Sequence, residues 1–291
     1  MSPSPTAPRR FAIAAHPRIA EAAGLAVEIA EFLTARGASA RHGPLQEEDL
    51  AQQLGHGDFD LLIALGGDGT MLRAGRLCAG SQVPILGINL GRFGFLTEVR
   101  RDQWAGVLER VLAGDYWIER RMMLRAEQHA VDGATQAVWD GLNECVVGRG
   151  EVVRPVQLTA EIDGRYLTTY VADAVIAATP TGSTAYALAA GGPILPPTLR
   201  NILLVPVAPH LSVDRAVVLD EGSWVRLTVH TDHQAILSVD GRPPERMSDG
   251  QSVDIRAGEN SANFVRLQDP GYFYRNLTSR MNQNPSIGAE R

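Results

Sequence analysis

Two hydrophobic periodicities share this chain, and one gives way to the other near residue 118. Up to about Gly114, compact apolar runs alternate with stretches whose apolar residues recur every three to four positions. Phe11 to Ala15 is the first run. From Arg18 to Arg36, Ile19, Ala22, Ala23, Ala26, Ile29, Ala30 and Leu33 then share one helical stripe, with Glu21, Glu28 and Glu31 elsewhere, and Gly37 supplies a stop. A second run, Phe59 to Leu65, ends in a glycine cluster and is followed by a helical stretch from about Met71 to Ala79. A third, Val83 to Ile88, again ends near glycine. Strand, helix and strand repeated in this way predict a parallel sheet with helices on its faces. Ligands of such sheets bind beyond the carboxyl ends of the strands, where the glycine clusters fall.

From about Ile118 to Leu267 the period is two. Leu158–Ile162, Trp224–His230 and Ala235–Val239 alternate apolar and polar residues, and Asp-Gly pairs stand at Asp132-Gly133, Asp163-Gly164 and Asp240-Gly241. Aspartate and glycine tolerate the positive φ of tight hairpin turns, so this half is expected to be mostly β. A chain of 291 residues exceeds what one hydrophobic core usually serves. The expected fold is therefore α/β plus β: a Rossmann-like domain over 1–117 and a β-rich, sandwich-type domain over 118–269. The segment 270–291, helical towards Met281, is expected to return to the first domain.

The charges narrow the chemistry. All 27 basic residues are arginine, which excludes a Walker A lysine, a kinase strand lysine and a lysine Schiff base. Phosphate chemistry here must run on backbone amides, arginine and metal. The net charge of −6 argues against a nucleic-acid or membrane partner. The first ten residues read as a flexible leader without a signal peptide's apolar core, and no apolar run reaches transmembrane length. Cys78 and Cys145 lack metal spacing, which fits a reducing, cytoplasmic setting.

Gly66-Gly67-Asp68-Gly69-Thr70 is the sharpest local feature. Between a strand and a helix, Gly66, Gly67, Gly69 and Thr70 allow backbone amides and the helix dipole to cradle an anion. Asp68 would repel a bare phosphate; it makes sense if it polarises a hydroxyl nucleophile or orients Mg²⁺, or else as a helix cap. The cluster Gly87-Ile-Asn89-Leu-Gly91-Arg-Phe-Gly94-Phe95-Leu96 follows the next strand and is expected to wall the same crevice. In the β half, Thr179-Pro-Thr181-Gly-Ser183-Thr184-Ala185-Tyr186 concentrates hydroxyls suited to ribose, amide or adenine edges, or to capping a helix over Thr184 to Ala190. Asn143-Glu144 either completes a buried hydrogen-bond network or faces a ligand. His210, after Pro209, reads as a structural histidine.

In this order and spacing, the two glycine motifs, Leu142-Asn143-Glu144, Asp173 with the Thr179–Tyr186 loop, Ala190-Gly-Gly-Pro193 and Pro209-His210 resemble the bacterial NAD kinase family from about Phe11 to Leu277. The resemblance implies transfer of the terminal phosphate of ATP, or of polyphosphate, to the 2′-hydroxyl of NAD's adenosine ribose, with Mg²⁺ or another divalent cation. It implies Asp68 as proton acceptor and Asn143 and Glu144 on the nicotinamide-side ribose. Asp173 would hold the carboxamide, and Thr181, Thr184, Ala185 and Tyr186, with Ala187, Leu188 and Ala189, the adenine and its neighbourhood. Leu72 and Phe95 would flank the adenine, and Arg73 and Arg154 would be basic contacts. It also implies a homodimer or homotetramer sharing the NAD site between subunits. Two positions depart from the pattern: the family's Asp-Gly is Asp173-Ala174 here, and an arginine of some members is Val171, which bears on the choice between NAD and NADH. Alternatives are a lipid or sugar kinase sharing only the first motif, and a non-catalytic NAD(H) sensor.

Overall fold

Strand β1 (Arg10–Ala15) opens a parallel sheet that continues, with helices between, through α1 (Ala20–Thr34), β2 (Ser39–Pro44), α2 (Glu48–His56), β3 (Leu61–Leu65), α3 (Asp68–Cys78), β4 (Ile85–Asn89), β5 (Val99–Arg100) and α4 (Trp104–Leu112). This computed structural model describes residues 7–91, 93–150, 154–210 and 213–282. The leader expected at the start lies mostly outside them. By its contacts the chain forms two units, Met1–Arg121 with Ser261–Arg291, and Met122–Asn260.

In the first unit β3 is buried on both faces, as its unbroken apolar run requires. Ala22, Leu25, Ala26, Ile29 and Leu33 of α1 pack against Phe11, Ile13, Leu61, Ile63, Leu86 and Ile88. Each fully buried leucine or isoleucine contributes about 1.5–3 kcal/mol. Gly37, at φ 77°, ends α1 where the sequence predicts. Helix α3 begins three residues earlier than expected, at Asp68, because Gly67 takes the N-cap position in an extended conformation. Asp68 thus stands in the helix's first turn, where the dipole favours a carboxylate. Strand order is β4-β3-β1-β2, so the order reverses between β1 and β3. Ligand crevices open at the carboxyl ends of strands flanking such a reversal.

The chain continues through β6 (Trp117–His129), β7 (Thr135–Gly141), β8 (Glu144–Arg149), β9 (Val156–Ile162), β10 (Arg165–Ala172), β11 (Ala174–Ala178), α5 (Tyr186–Ala189), β12 (Asn201–Val207), β13 (Val217–Asp220), β14 (Trp224–His230), β15 (Ala235–Val239), β16 (Glu245–Met247), β17 (Ser252–Arg266) and α6 (Tyr272–Asn282). In the second unit β13-β12-β11-β8-β15-β16 form one antiparallel sheet, and β10, β9, β14 and the first half of β17 pair antiparallel in another. One core holds side chains of both, among them Cys145, Val147, Val175, Leu204 and Leu237 with Leu158, Tyr170, Leu227 and Ile255. This is the sandwich the alternation implies. Asp163-Gly164 and Asp240-Gly241 both adopt positive φ at their hairpins. Among the described residues no helix is long and apolar enough to cross a membrane.

Candidate functional site

Chain that leaves β3 turns at once into α3, and the turn bounds a cleft of 270 Å³ lined by His16, Pro17, Ile19, Leu45, Gly67, Gly69, Thr70 and Arg73. His16 follows β1, and its N–H donates to the Leu65 carbonyl at 3.1 Å, so the cleft sits at the strand reversal. A side chain at Gly66 would overlap Thr70, whose buried Oγ1 has no hydrogen-bond partner among the described residues. Leu72 is half-buried one position before the exposed Arg73.

Asp68 joins this turn to the second glycine loop. Its Oδ2 accepts from the Phe95 N–H at 2.8 Å and its Oδ1 from the Leu96 N–H at 3.1 Å. Asn89 shapes the loop from below, accepting from the Gly91 N–H at 2.8 Å and donating to Thr97 Oγ1 at 3.0 Å. The two loops were expected to wall one crevice. They touch through Asp68, but the second lines its own cleft of 440 Å³ with Glu21, Arg100, Arg101 and Asp102. The Asp68 side chain, closed against Gly94, occupies the gap between the loops.

In the second unit, Asn143, Glu144 and the Thr179–Tyr186 loop meet at one end of the β8–β11 pair. The Thr179 N–H donates to the Asn143 carbonyl at 2.8 Å, and Thr179 Oγ1 donates to the Leu142 carbonyl at 2.6 Å. Asp240 orders the same corner from the β15–β16 turn: its carboxylate accepts from the N–H groups of Leu142, Asn143 and Glu144 at 2.8, 2.8 and 3.2 Å. Glu144 is buried, with Oε2 unpartnered among the described residues. Burial, reinforced by the Asp240 carboxylate, pushes its carboxyl up to about 8, so it carries a proton at neutral pH.

The hydroxyl-rich loop differs from expectation. Only Tyr186–Ala189 is α-helical, after a single 3₁₀ turn at Gly182–Thr184, and neither Thr181 nor Ser183 caps it. Its hydroxyls serve the loop itself: Ser183 Oγ donates to the Pro180 carbonyl and accepts from the Leu195 N–H, and Thr184 Oγ1 donates to the Thr181 carbonyl. Thr181 is buried and Ala187 lies in a core with Ile176 and Leu203, whereas Tyr186 is exposed. Ala185 and Leu188 are half-buried and Ala189 is exposed.

A family model described as the ATP-NAD kinase N-terminal domain matches residues 31–116, and one described as the ATP-NAD kinase C-terminal domain matches 142–267. A NAD kinase of Chloroflexus aggregans is 39% identical over 275 residues, covering 94% of this chain and 99% of that protein. The chain belongs to the NAD kinase family. A NAD kinase of Heliobacterium modesticaldum is 43% identical over 244 residues, covering 83% of this chain and 84% of its own. Among solved structures, yeast NADH kinase complexed with NADH is similar with a TM-score of 0.80 at 26% identity, covering 98% of this chain and 91% of its own. An NAD kinase from Archaeoglobus fulgidus in complex with ATP gives 0.74 at 26% identity, covering 96% and 100%.

Two residues with a NAD kinase resemblance stand apart from the corner at Asn143. Asp173 occupies the opposite end of β11, ion-paired with Arg149 at 3.1 Å. Ala174 begins β11 without positive φ, so this turn does not need the family's glycine. Arg154 is exposed and paired with Asp232 at 2.9 Å, in a cleft with His230, His233 and Asp249. His210 donates its N–H to the carbonyl of Val171 at 2.7 Å. Asp240 and His16 were not foreseen as site residues. Asp240 carries only a hairpin signal in the sequence, and His16 is marked only by following the first strand.

Proposed function

We propose that this NAD kinase family member transfers the terminal phosphate of ATP to the 2′-hydroxyl of the adenosine ribose of NAD, with Asp68 taking the hydroxyl proton. One observation carries the reading: a carboxylate pinned by two backbone amides, between two glycines at the start of α3, beside a cleft at the strand reversal. A helix N-terminus with glycine backbone is a phosphate site that needs no lysine. One amide on each carboxylate oxygen fixes the group and leaves acceptor capacity for a hydroxyl, and such positioning is the larger part of phosphoryl-transfer catalysis. Gly66, Gly67, Gly69 and Thr70 hold the donor phosphates, with Arg73 at the rim.

Among the described residues no three His, Cys, Asp or Glu side chains converge on a metal site. A lone carboxylate at a phosphate loop fits Mg²⁺ that would be carried on the donor phosphates, with Asp68 the residue of this loop that could help to hold it. When bound, the ion neutralises charge on the transferring group.

On NAD, Asn143 and the protonated Glu144 supply donors and acceptors to the nicotinamide-side ribose, with Leu72, Phe95, Arg73, Thr181 and Thr184 to Ala189 contributing around the adenine. Asp173 cannot reach that ribose end within one copy. It lies five residues along β11 from Ala178, the register partner of Glu144, or about 17 Å away. That separation supports assigning its carboxamide contact to a neighbouring copy's site, in a homodimer or homotetramer.

Incubating the purified protein with ATP, Mg²⁺ and NAD, and reading NADP with an NADP-specific dehydrogenase, tests the activity. No product from ATP or polyphosphate, alongside measurable NAD binding, would instead support a sensor.

A further inference from the structure

Phe95 and Leu96 are each gripped from two sides. Their N–H groups donate to the Asp68 carboxylate, and their carbonyl oxygens accept from two buried arginines. Arg280 Nη1, from α6, donates to the Phe95 carbonyl at 3.1 Å, and Arg266 Nη1, from β17, to the Leu96 carbonyl at 2.9 Å. Arg280 Nη2 adds the Thr97 carbonyl at 3.4 Å, and its guanidinium lies 5.6 Å from the Phe93 ring centroid and 6.0 Å from that of Phe95.

Neither arginine is a surface side chain; Arg266 is 1% and Arg280 4% exposed, so each guanidinium has left water. Arg266 is compensated by Glu119 at 2.9 Å, which also takes Arg121 and the Tyr272 hydroxyl. Arg280 has no carboxylate within ion-pair distance among the described residues, and burial pulls its guanidinium below the usual range, opposed by Tyr272 and Asp68. A well-packed apolar side chain would stabilise such a position at lower cost than a buried charge. Two guanidiniums directed at successive carbonyls of an irregular loop thus point to work beyond packing.

We infer that Arg280 and Arg266 are positioning residues: by fixing the carbonyls of Phe95 and Leu96 they fix the amides that orient Asp68, so the C-terminal strand and helix set the geometry of the reacting carboxylate. This rests on the reading of Asp68 given above. Misplacing a catalytic group by about 1 Å costs roughly 100-fold in rate.

The test compares full-length Arg280→Met and Arg280→Lys with wild type, by residue-resolved amide hydrogen exchange and by NADP formation. In Arg280→Met, exchange at Phe95 and Leu96 is expected to quicken at least about tenfold while Leu62 to Leu65 keep their protection. The kcat is expected to fall about 10–100-fold with the KM for NAD within about threefold, and lysine to restore part of both. Unchanged exchange at Phe95 and Leu96 overturns the inference whether or not the chain phosphorylates NAD, and faster exchange at full kcat does so too. Absence of NADP from the wild type would count against the proposed activity instead. If Arg280→Met does not fold, Arg280→Lys decides: a kcat at least about threefold down at unchanged KM supports the inference, and a wild-type kcat overturns it.

Discussion

Gly94 lies so close against the Asp68 carboxylate that a methyl group there would overlap its carbon and both oxygens. The glycine is required by this approach and not by its dihedrals, since it is absent from the positive-φ positions. Gly94→Ala should therefore push Asp68 off its two amides and lower kcat about 100-fold. Calorimetric NAD affinity should stay within about threefold, because the displaced group acts on the reacting hydroxyl. Normal turnover in a folded Gly94→Ala protein would mean that Asp68 tolerates movement.

Asp68→Asn keeps the side-chain volume but loses the base, and with it one of the two amide contacts, because its NH2 cannot accept from a backbone N–H. Turnover should drop about 10²–10⁴-fold, the usual range for removing a general base, while NAD still binds. Near-normal NADP formation by this variant would sink the role given to Asp68.

Glu144 gives stability an unusual pH slope. Its carboxyl is raised from 4.5 to about 8 in the folded state, so between those values the native protein holds a proton that the unfolded chain releases. The associated stability is complete below about pH 4.5 and is lost as pH rises towards 8. Urea unfolding at pH 5 and 8.5 should show wild type losing on the order of 3 kcal/mol relative to Glu144→Gln. A difference that does not change with pH would show that Glu144 is ionised in the fold.

Glu119 has the opposite sign. Burial works to raise its carboxyl, but the guanidiniums of Arg121 and Arg266 outweigh burial and hold it at about 2. Its contribution is present above about pH 4.5 and disappears as pH falls towards 2. Glu119→Gln should cost about 3 kcal/mol at pH 7, in line with breaking a buried ion pair, and progressively less at pH 4 and 3. Chemical denaturation of both proteins across that range checks it; a penalty of constant size would refute the assignment.

What could be read ahead of the structure followed the strength of the local signal. The runs at Phe11, Leu61 and Val83 are apolar on both faces because their strands are central, and the Asp-Gly pairs turn where positive φ is needed. Strand β2, Ser-Ala-Arg-His-Gly-Pro, carries no such signal because it is a half-exposed edge. The hydroxyls of Thr179 and Ser183 could be counted but not aimed: composition alone does not reveal that both are spent on neighbouring carbonyls. Arg266 and Arg280 were two among 27 arginines, and only tertiary contact separates them from those in water. The fold and the positions of the motifs were thus legible, while the supporting polar network was not.

The second unit interrupts the first in sequence, since contacts unite the chain up to Arg121 with the chain from Ser261 onward. Phe264 of β17 lies beside Ile85 of β4, and α6 supplies Arg280 to the loop at Phe95. A ribosome delivers the glycine loops before the segment that clamps them. During synthesis the nascent first unit must wait, with its sheet unfinished and Asp68 unbraced, until the whole β sandwich has emerged. On the role proposed for Asp68, catalytic competence follows translation of β17 and α6, and products terminated within the sandwich would carry the motif without its clamp.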